Sequence, residues 1–371
     1  MRIPLSAPDI TDAEIEAVAA VLRTPSLSLG PRLPEFEEAF AARVGARHAV
    51  AVSSGTAGLH LAVRACGIAE GDEVVTTPFS FVASANAILY ERGVPVFVDV
   101  DPASLNIDPG RIEAALTPRT RAILPVHVFG RPADMGAILE IANRRGLPVI
   151  EDACEALGAR VAGRAAGSLG RCGVFGFYPN KQITTGEGGM VVTDDPALAS
   201  LCRSLRNHGR DDGAPAMLHA RLGYNYRLSE LACALGAAQL RRLDGILAAR
   251  EAVARRYHTR LSGCADLLLP EVDPAGVRVS WFVYVVRLAA RWTRGDRDRI
   301  VGEMEAQGIG CRPYFPVLHL QPHLAALLGH GPGDFPVAEA AADRTLALPF
   351  HGRLSEADVD SVCDALLQSL R

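Results

Sequence analysis

The chain has 371 residues, of which 49% are hydrophobic and 22% charged, and a formal net charge of −4. That length allows two or three domains with substantial cores, and the composition is globular. The weak negative charge gives no pull toward nucleic acid or anionic lipid, no apolar run approaches the roughly 18 residues of a membrane span, and the stretch Met1–Pro8 lacks the apolar core of a signal peptide, so a cytoplasmic protein with neither partner is expected.

In chain order, Thr11-Asp-Ala-Glu14 is a capping box opening an amphipathic helix that runs to about Leu22. Short apolar runs then alternate with helical stretches. Strands are expected at 49–53, 73–77, 95–100, 122–126 and 148–151, and helices at 57–64, 81–92, 111–116 and 134–145. Strands separated by helices of this length imply βαβ units and a largely parallel sheet. After Glu151 the rhythm changes. Two strands, 172–178 and 190–193, are joined only by a loop, and long helices follow at 227–240 and 244–261. Beyond Gly263 come strands at 281–288 and 346–349 and helices at 296–307 and 356–370. The expected organisation is a large α/β domain over 1–243, then from 244 a bridging helix and a smaller α+β domain. The 8 cysteines are scattered without a C-x-x-C pair, which reads as reduced, mostly buried thiols and neither a disulfide framework nor a zinc site.

Lys181 is the only lysine in the chain; every other residue of the Lys+Arg set is arginine. Where guanidinium meets every other need, a single ammonium reads either as a position that arginine cannot fill or as the chance survival of one surface lysine. Lysine can lose its proton and condense with a carbonyl, whereas arginine stays protonated and is a poor nucleophile. A pyridoxal-phosphate site would use such a lysine, together with an acid for the pyridine nitrogen, phosphate donors, an aromatic neighbour for the ring and a proton shuttle.

Each requirement has a candidate. Asp152 follows an expected strand, where open α/β sheets present ligands, although a strand-ending aspartate also reads as a helix N-cap. Ser53-Ser-Gly-Thr-Ala57 links a strand to a helix. Gly55 permits the turn, and the amides of Thr56 and Ala57 then face an anion from a helix N-terminus, although such loops also occur as plain turns. Phe81, at the expected start of the next helix, could stack on the ring or lie in the core. Lys181 itself sits in Phe177-Tyr-Pro-Asn-Lys-Gln-Ile-Thr-Thr-Gly-Glu-Gly-Gly189, which has neither the P-loop nor the Rossmann glycine pattern.

Glu151-Asp-Ala-Cys-Glu155, Tyr178-Pro-Asn-Lys181, Thr185-Gly-Glu-Gly-Gly189 and Gly223-Tyr-Asn-Tyr-Arg227 together resemble the DegT/StrS-type sugar aminotransferases. The resemblance runs in order over almost the whole chain. It implies the type I fold of pyridoxal-phosphate transferases, with the large domain holding the cofactor, and a homodimer with shared active sites. It implies Lys181 as Schiff-base lysine and general base, Asp152 as partner of the pyridine nitrogen, and Gly55, Thr56 and Ala57 around the phosphate. Phe81 would face the ring, Glu155 would stand near the ring hydroxyl where many relatives carry Gln or His, and Asn225 would reach the neighbouring subunit's phosphate. Tyr314, His319 and Arg227 are the candidate substrate contacts, with an ordinary interfacial histidine the alternative for His319. Many relatives carry serine where this chain has Gly176. Related dehydratases replace the lysine by histidine, so Lys181 favours transamination. The activity implied is ping-pong transfer of nitrogen from L-glutamate to a nucleotide-linked keto sugar, with pyridoxamine phosphate as carrier. The alternatives are a keto-cyclitol or another natural-product acceptor, or a cofactor-binding regulator without turnover.

Overall fold

The computed structural model describes residues 2–213, 215 and 217–371. The strands in the first part of the chain are β1 (His48–Val52), β2 (Glu73–Thr76), β3 (Val94–Phe97), β4 (Thr120–Ile123), β5 (Ile150–Asp152), β6 (Arg160–Val161), β7 (Arg164–Ala165), β8 (Cys172–Gly176) and β9 (Gly189–Thr193). Later come β10 (Leu267–Leu268), β11 (Val277–Arg278), β12 (Tyr284–Leu288) and β13 (Thr345–Leu348).

A central sheet is built from two sets, β1-β9-β8-β5 and β3-β2-β4. They meet where Ile123 bridges Val149 and Val126 bridges Asp152, both in parallel. The sheet is parallel apart from β9, which is antiparallel to β1 and β8. The exception has a local cause: β8 and β9 are joined by the lysine loop and not by a crossover helix.

Alternation along the strands divides the core. Val50, Val52, Val174 and Val191 face one hydrophobic cluster, packed against helices Gly55–Ala65, Ala83–Tyr90 and Pro196–Arg206. Ala49, Ala51, Phe175 and Met190 face another, packed against helices Arg32–Val44 and Glu230–Arg241. Small residues on that second face admit Phe36 and Phe40, whose rings meet those of Phe175 and Phe177.

Helix Leu243–Leu261 leaves this layer. Its first residues Leu243, Ile246 and Leu247 pack in the second cluster. Val253, Ala254, Tyr257 and Leu261 pack in a third, with β12, β13 and helices Arg294–Ala306 and Glu356–Ser369. The sheet β10-β12-β13 is antiparallel. Packing across residue 244 is extensive, because Phe315, Leu318, Leu324, Phe335 and Ala338 join the first cluster and β11 pairs with β6.

The capping-box helix runs Asp12–Leu22, with the Thr11 amide donating to Glu14 at 2.7 Å. Two expectations shift. Asp152 is the last residue of β5, not the residue after it, and Phe81 precedes its helix, which starts at Ala83. Four helices escaped the sequence reading: Arg32–Val44, Pro196–Arg206, Pro322–Leu328 and Pro336–Arg344. Three of them start with proline at N1, which preorganises the first turn. Among the described residues no helix is long and apolar enough to cross a membrane.

Candidate active site

The carboxyl ends of β1, β2, β5 and β8 surround a cleft of about 530 Å3. Its lining includes Gly55, Thr56, Phe81, Asp152, Glu155, Lys181 and Tyr314, which brings together most of the residues expected from the sequence.

Asp152 is 5% exposed at the base of the cleft. The Cys154 amide donates to its Oδ1 at 3.1 Å and the Ser84 hydroxyl to its Oδ2 at 2.7 Å. Those bonds orient the carboxylate and leave it with acceptor capacity toward the cleft. Asp152 caps no helix. Ser84 escaped the sequence reading. Its signal was its place four residues after Ser80, at the start of a largely apolar helix; Ser80 Oγ and Ser84 Oγ lie 2.9 Å apart.

The ammonium of Lys181 is 3.7 Å from Glu155 Oε1 and 3.9 Å from the centre of the Phe282 ring. The Phe129 amide donates to Glu155 Oε2 at 2.9 Å. Burial pushes the Glu155 carboxyl above its ordinary range, and the nearby Lys181 charge works against that rise. Burial likewise pushes the neighbouring Cys154 thiol up, leaving it a poor nucleophile.

The helix Gly55–Ala65 aims its N-terminus into the cleft. A Cβ at Gly55 would stand 2.9 Å from Cys154 Sγ and 3.3 Å from Gly176 Cα, so only glycine allows this close approach to β8. Thr56 lines the cleft, whereas the Ala57 amide donates to Ser54 Oγ at 3.0 Å and Ala57 is not part of the lining. Ser54 is therefore the cap, and Gly55 and Thr56 are the helix residues that line the cleft. Phe81 is 61% exposed at the rim.

Three expected residues lie elsewhere. His319, expected near the substrate, is fully buried, with Nε2 3.1 Å from Glu339 Oε1 and its ring against Phe335. It is neither a cleft nor a surface histidine, because Leu318, Leu324 and Phe335 around it belong to the first core cluster. Arg227 donates to Asn207 Oδ1 at 3.0 Å and does not line the cleft. Asn225 is exposed outside this chain's own cleft, between Tyr224 and Tyr226, whose rings stack at 4.9 Å.

The donor set fits pyridoxal phosphate: a lysine amine, a hydrogen-bonded carboxylate, a helix N-terminus for phosphate and an aromatic face share one cleft. A mostly parallel sheet presenting that set is the arrangement a pyridoxal-phosphate enzyme requires. The chain belongs to the DegT/DnrJ/EryC1/StrS aminotransferase family, whose sequence model matches residues 8–367. It is 43% identical to GDP-perosamine synthase of Caulobacter vibrioides over 371 residues, covering 100% of this chain and 98% of that protein. Its fold is similar to that of DesV from S. venezuelae, solved in complex with a ketimine intermediate, with TM-score 0.90, 37% identity and coverage of 97% and 95% of the two chains. It is also similar to the aminotransferase TlmJ from Streptoalloteichus hindustanus, with TM-score 0.92, 36% identity and coverage of 99% and 98%. The chain is a sugar aminotransferase, an enzyme of amino-sugar biosynthesis.

Proposed function

We propose that this enzyme moves an amino group from L-glutamate to the ketone of a nucleotide-linked sugar in two half-reactions at one cleft, with Lys181 as the proton carrier. The observation that carries this reading is the meeting of the sole lysine with Asp152 and the Gly55–Thr56 helix terminus in one cleft. Support for a nucleotide-linked substrate comes from the relative named GDP-perosamine synthase. Pyridoxal phosphate held by these residues would supply an electron sink and a carrier for the nitrogen between the half-reactions.

Asp152 would face the pyridine nitrogen and keep it protonated, its own orientation held by Ser84 and Cys154. The amides and hydroxyl at Gly55–Thr56 would hold the phosphate, and Phe81 would cover the ring. The Lys181 amine would take the proton from the donor's α-carbon and pass it on within that half-reaction, then make the reverse transfer to the acceptor's carbon in the second, as a positioned general base and acid. Glu155, its carboxylate 3.7 Å from that amine, would stand near the ring hydroxyl. Tyr314, which lines the cleft, would contact the substrate. Asn225 would complete the phosphate site of a second copy of the chain, which makes the functional unit a homodimer. Its exposure on a strap anchored by Tyr224 and Tyr226 is the support for that role.

The test is the visible spectrum of the purified enzyme before and after L-glutamate. A yellow band that bleaches is expected, and a band unmoved by glutamate would overturn this donor. Lys181→Arg should abolish both half-reactions, since guanidinium neither condenses with the aldehyde nor accepts the proton. Measurable turnover by that variant would overturn the assignment of Lys181. A panel of nucleotide-linked keto sugars and free keto-cyclitols then identifies the acceptor.

A further inference from the structure

Arg250 lies in helix Leu243–Leu261, between the residues that pack in the second cluster and those that pack in the third. It is 3% exposed. The acid that favours its charge, Asp9, is itself committed to Arg242 at 3.1 Å. Burial pulls the guanidinium down to about 10, so it stays charged at neutral pH.

Instead of a carboxylate, its two prongs find backbone carbonyls. Nη1 donates to Trp281 O at 3.3 Å and Phe282 O at 3.2 Å. Nη2 donates to Asn180 O at 3.3 Å and Lys181 O at 2.9 Å. One prong therefore grips the lysine loop and the other the loop carrying the ring that lies 3.9 Å from the Lys181 ammonium. One residue further on, Gln182 ties the same loops, donating to Glu155 O at 2.6 Å and Ser280 Oγ at 2.9 Å. A buried cation with no carboxylate partner among the described residues is an expensive way to join two loops that apolar packing could hold. The planar fork of arginine does what packing cannot: it sets the angle and spacing of two backbones at once.

We propose that Arg250 is the positioning residue of Lys181, one buried guanidinium holding the lysine's backbone and the backbone of the aromatic ring against its ammonium in fixed relation. This rests on the reading of Lys181 as the reactive amine.

Because the chain has a single lysine, its reactivity can be read without turnover. Apoenzyme is mixed with pyridoxal phosphate, reduced with borohydride at intervals, and the adduct at Lys181 is quantified by peptide mass mapping, which separates it from the N-terminal amine. Arg250→Met is compared with Arg250→Gln, which keeps one donating amide, and with Arg255→Met, an exposed site on the same helix. Capture should slow roughly 100-fold in Arg250→Met, the scale of a misplacement of about 1 Å, with a smaller loss in Arg250→Gln and none in Arg255→Met. The visible circular dichroism of bound cofactor should weaken in parallel, and kcat should fall while KM for glutamate holds. If Arg250→Met fails to fold, Arg250→Gln decides. Capture at the wild-type rate with unchanged dichroism in a folded Arg250 variant would overturn the proposal, leaving a purely structural arginine. Wild-type enzyme that captures no cofactor at Lys181 would instead overturn the reading of the lysine, and this inference with it.

Discussion

Glu151 and Asp152 are consecutive on β5 and, as neighbours on a strand, leave the sheet from opposite faces. On one face Glu151 accepts from the amides of Gly167, Leu169 and Gly170 at 2.6 to 2.7 Å. It also accepts from His127 Nε2 at 2.9 Å; the Ala133 amide donates to Nδ1 of that ring, which assigns the proton to Nε2. On the other face, among the described residues, Asp152 receives only Ser84 and the Cys154 amide, with the cleft in front of it. The first carboxylate has all its capacity taken by the protein, and the second is oriented but left with capacity to spare. A saturated acid holds loops together; a partly satisfied one is ready for a ligand.

The sharpest way to break this contrast is to neutralise each acid in turn. Asp152→Asn should lower kcat by roughly 100- to 1,000-fold, the scale of removing one preorganised electrostatic contact, with little change in melting temperature. Steady-state kinetics beside calorimetry would check it, and a large loss of stability with activity intact would reverse the roles assigned here. Glu151→Ala should do the opposite, costing about 4 kcal/mol of stability or more, because His127 Nε2 and three amides are left without a buried partner at about 1–3 kcal/mol each. Denaturant unfolding measures that loss, while the folded fraction should keep kcat within a few fold.

His319 extends the contrast to a smaller effect. Like Glu151 it is closed off inside the protein, and burial holds its imidazole below the ordinary 6.5. The unfolded chain therefore takes up a proton near pH 6.5 that the folded chain resists, so this site stabilises the fold above that pH and loses its contribution as the pH falls below it. His319→Leu should cost about 1–3 kcal/mol at neutral pH, as one buried hydrogen bond is lost. It should also flatten the acid limb of the stability profile and leave kcat/KM within twofold. A collapse of kcat/KM at full stability would return His319 to the substrate.

How much of this was legible beforehand varies from residue to residue. Lys181 stood out by being alone, and the helix Asp12–Leu22 by a capping box that needs only four consecutive residues. Helix Arg32–Val44 was not legible, although its Phe36 and Phe40 fill the space left by small residues on β1. Its pattern has meaning only against that sheet face. Ala57 was read as an anion donor from its place in a loop, but a neighbouring serine takes its amide. Phe81 was given to the ring by the resemblance alone, its position reading equally well as core, and the structure leaves it exposed at the rim.

Residue types and local spacing were enough to determine the kind of chemistry available: one amine able to condense with an aldehyde, an acid at a strand end, and a glycine that lets a helix terminus approach. They also determined most of the βα rhythm, because hydrophobic periodicity and capping act over a few residues. Only the tertiary structure decided which of two adjacent acids stays open, which histidine is sealed in, and which arginine steadies the lysine. Those outcomes depend on whether a polar atom finds all its partners, and the partners are distant in sequence: Ser84 is 68 residues from Asp152, and Arg250 is 69 from Lys181.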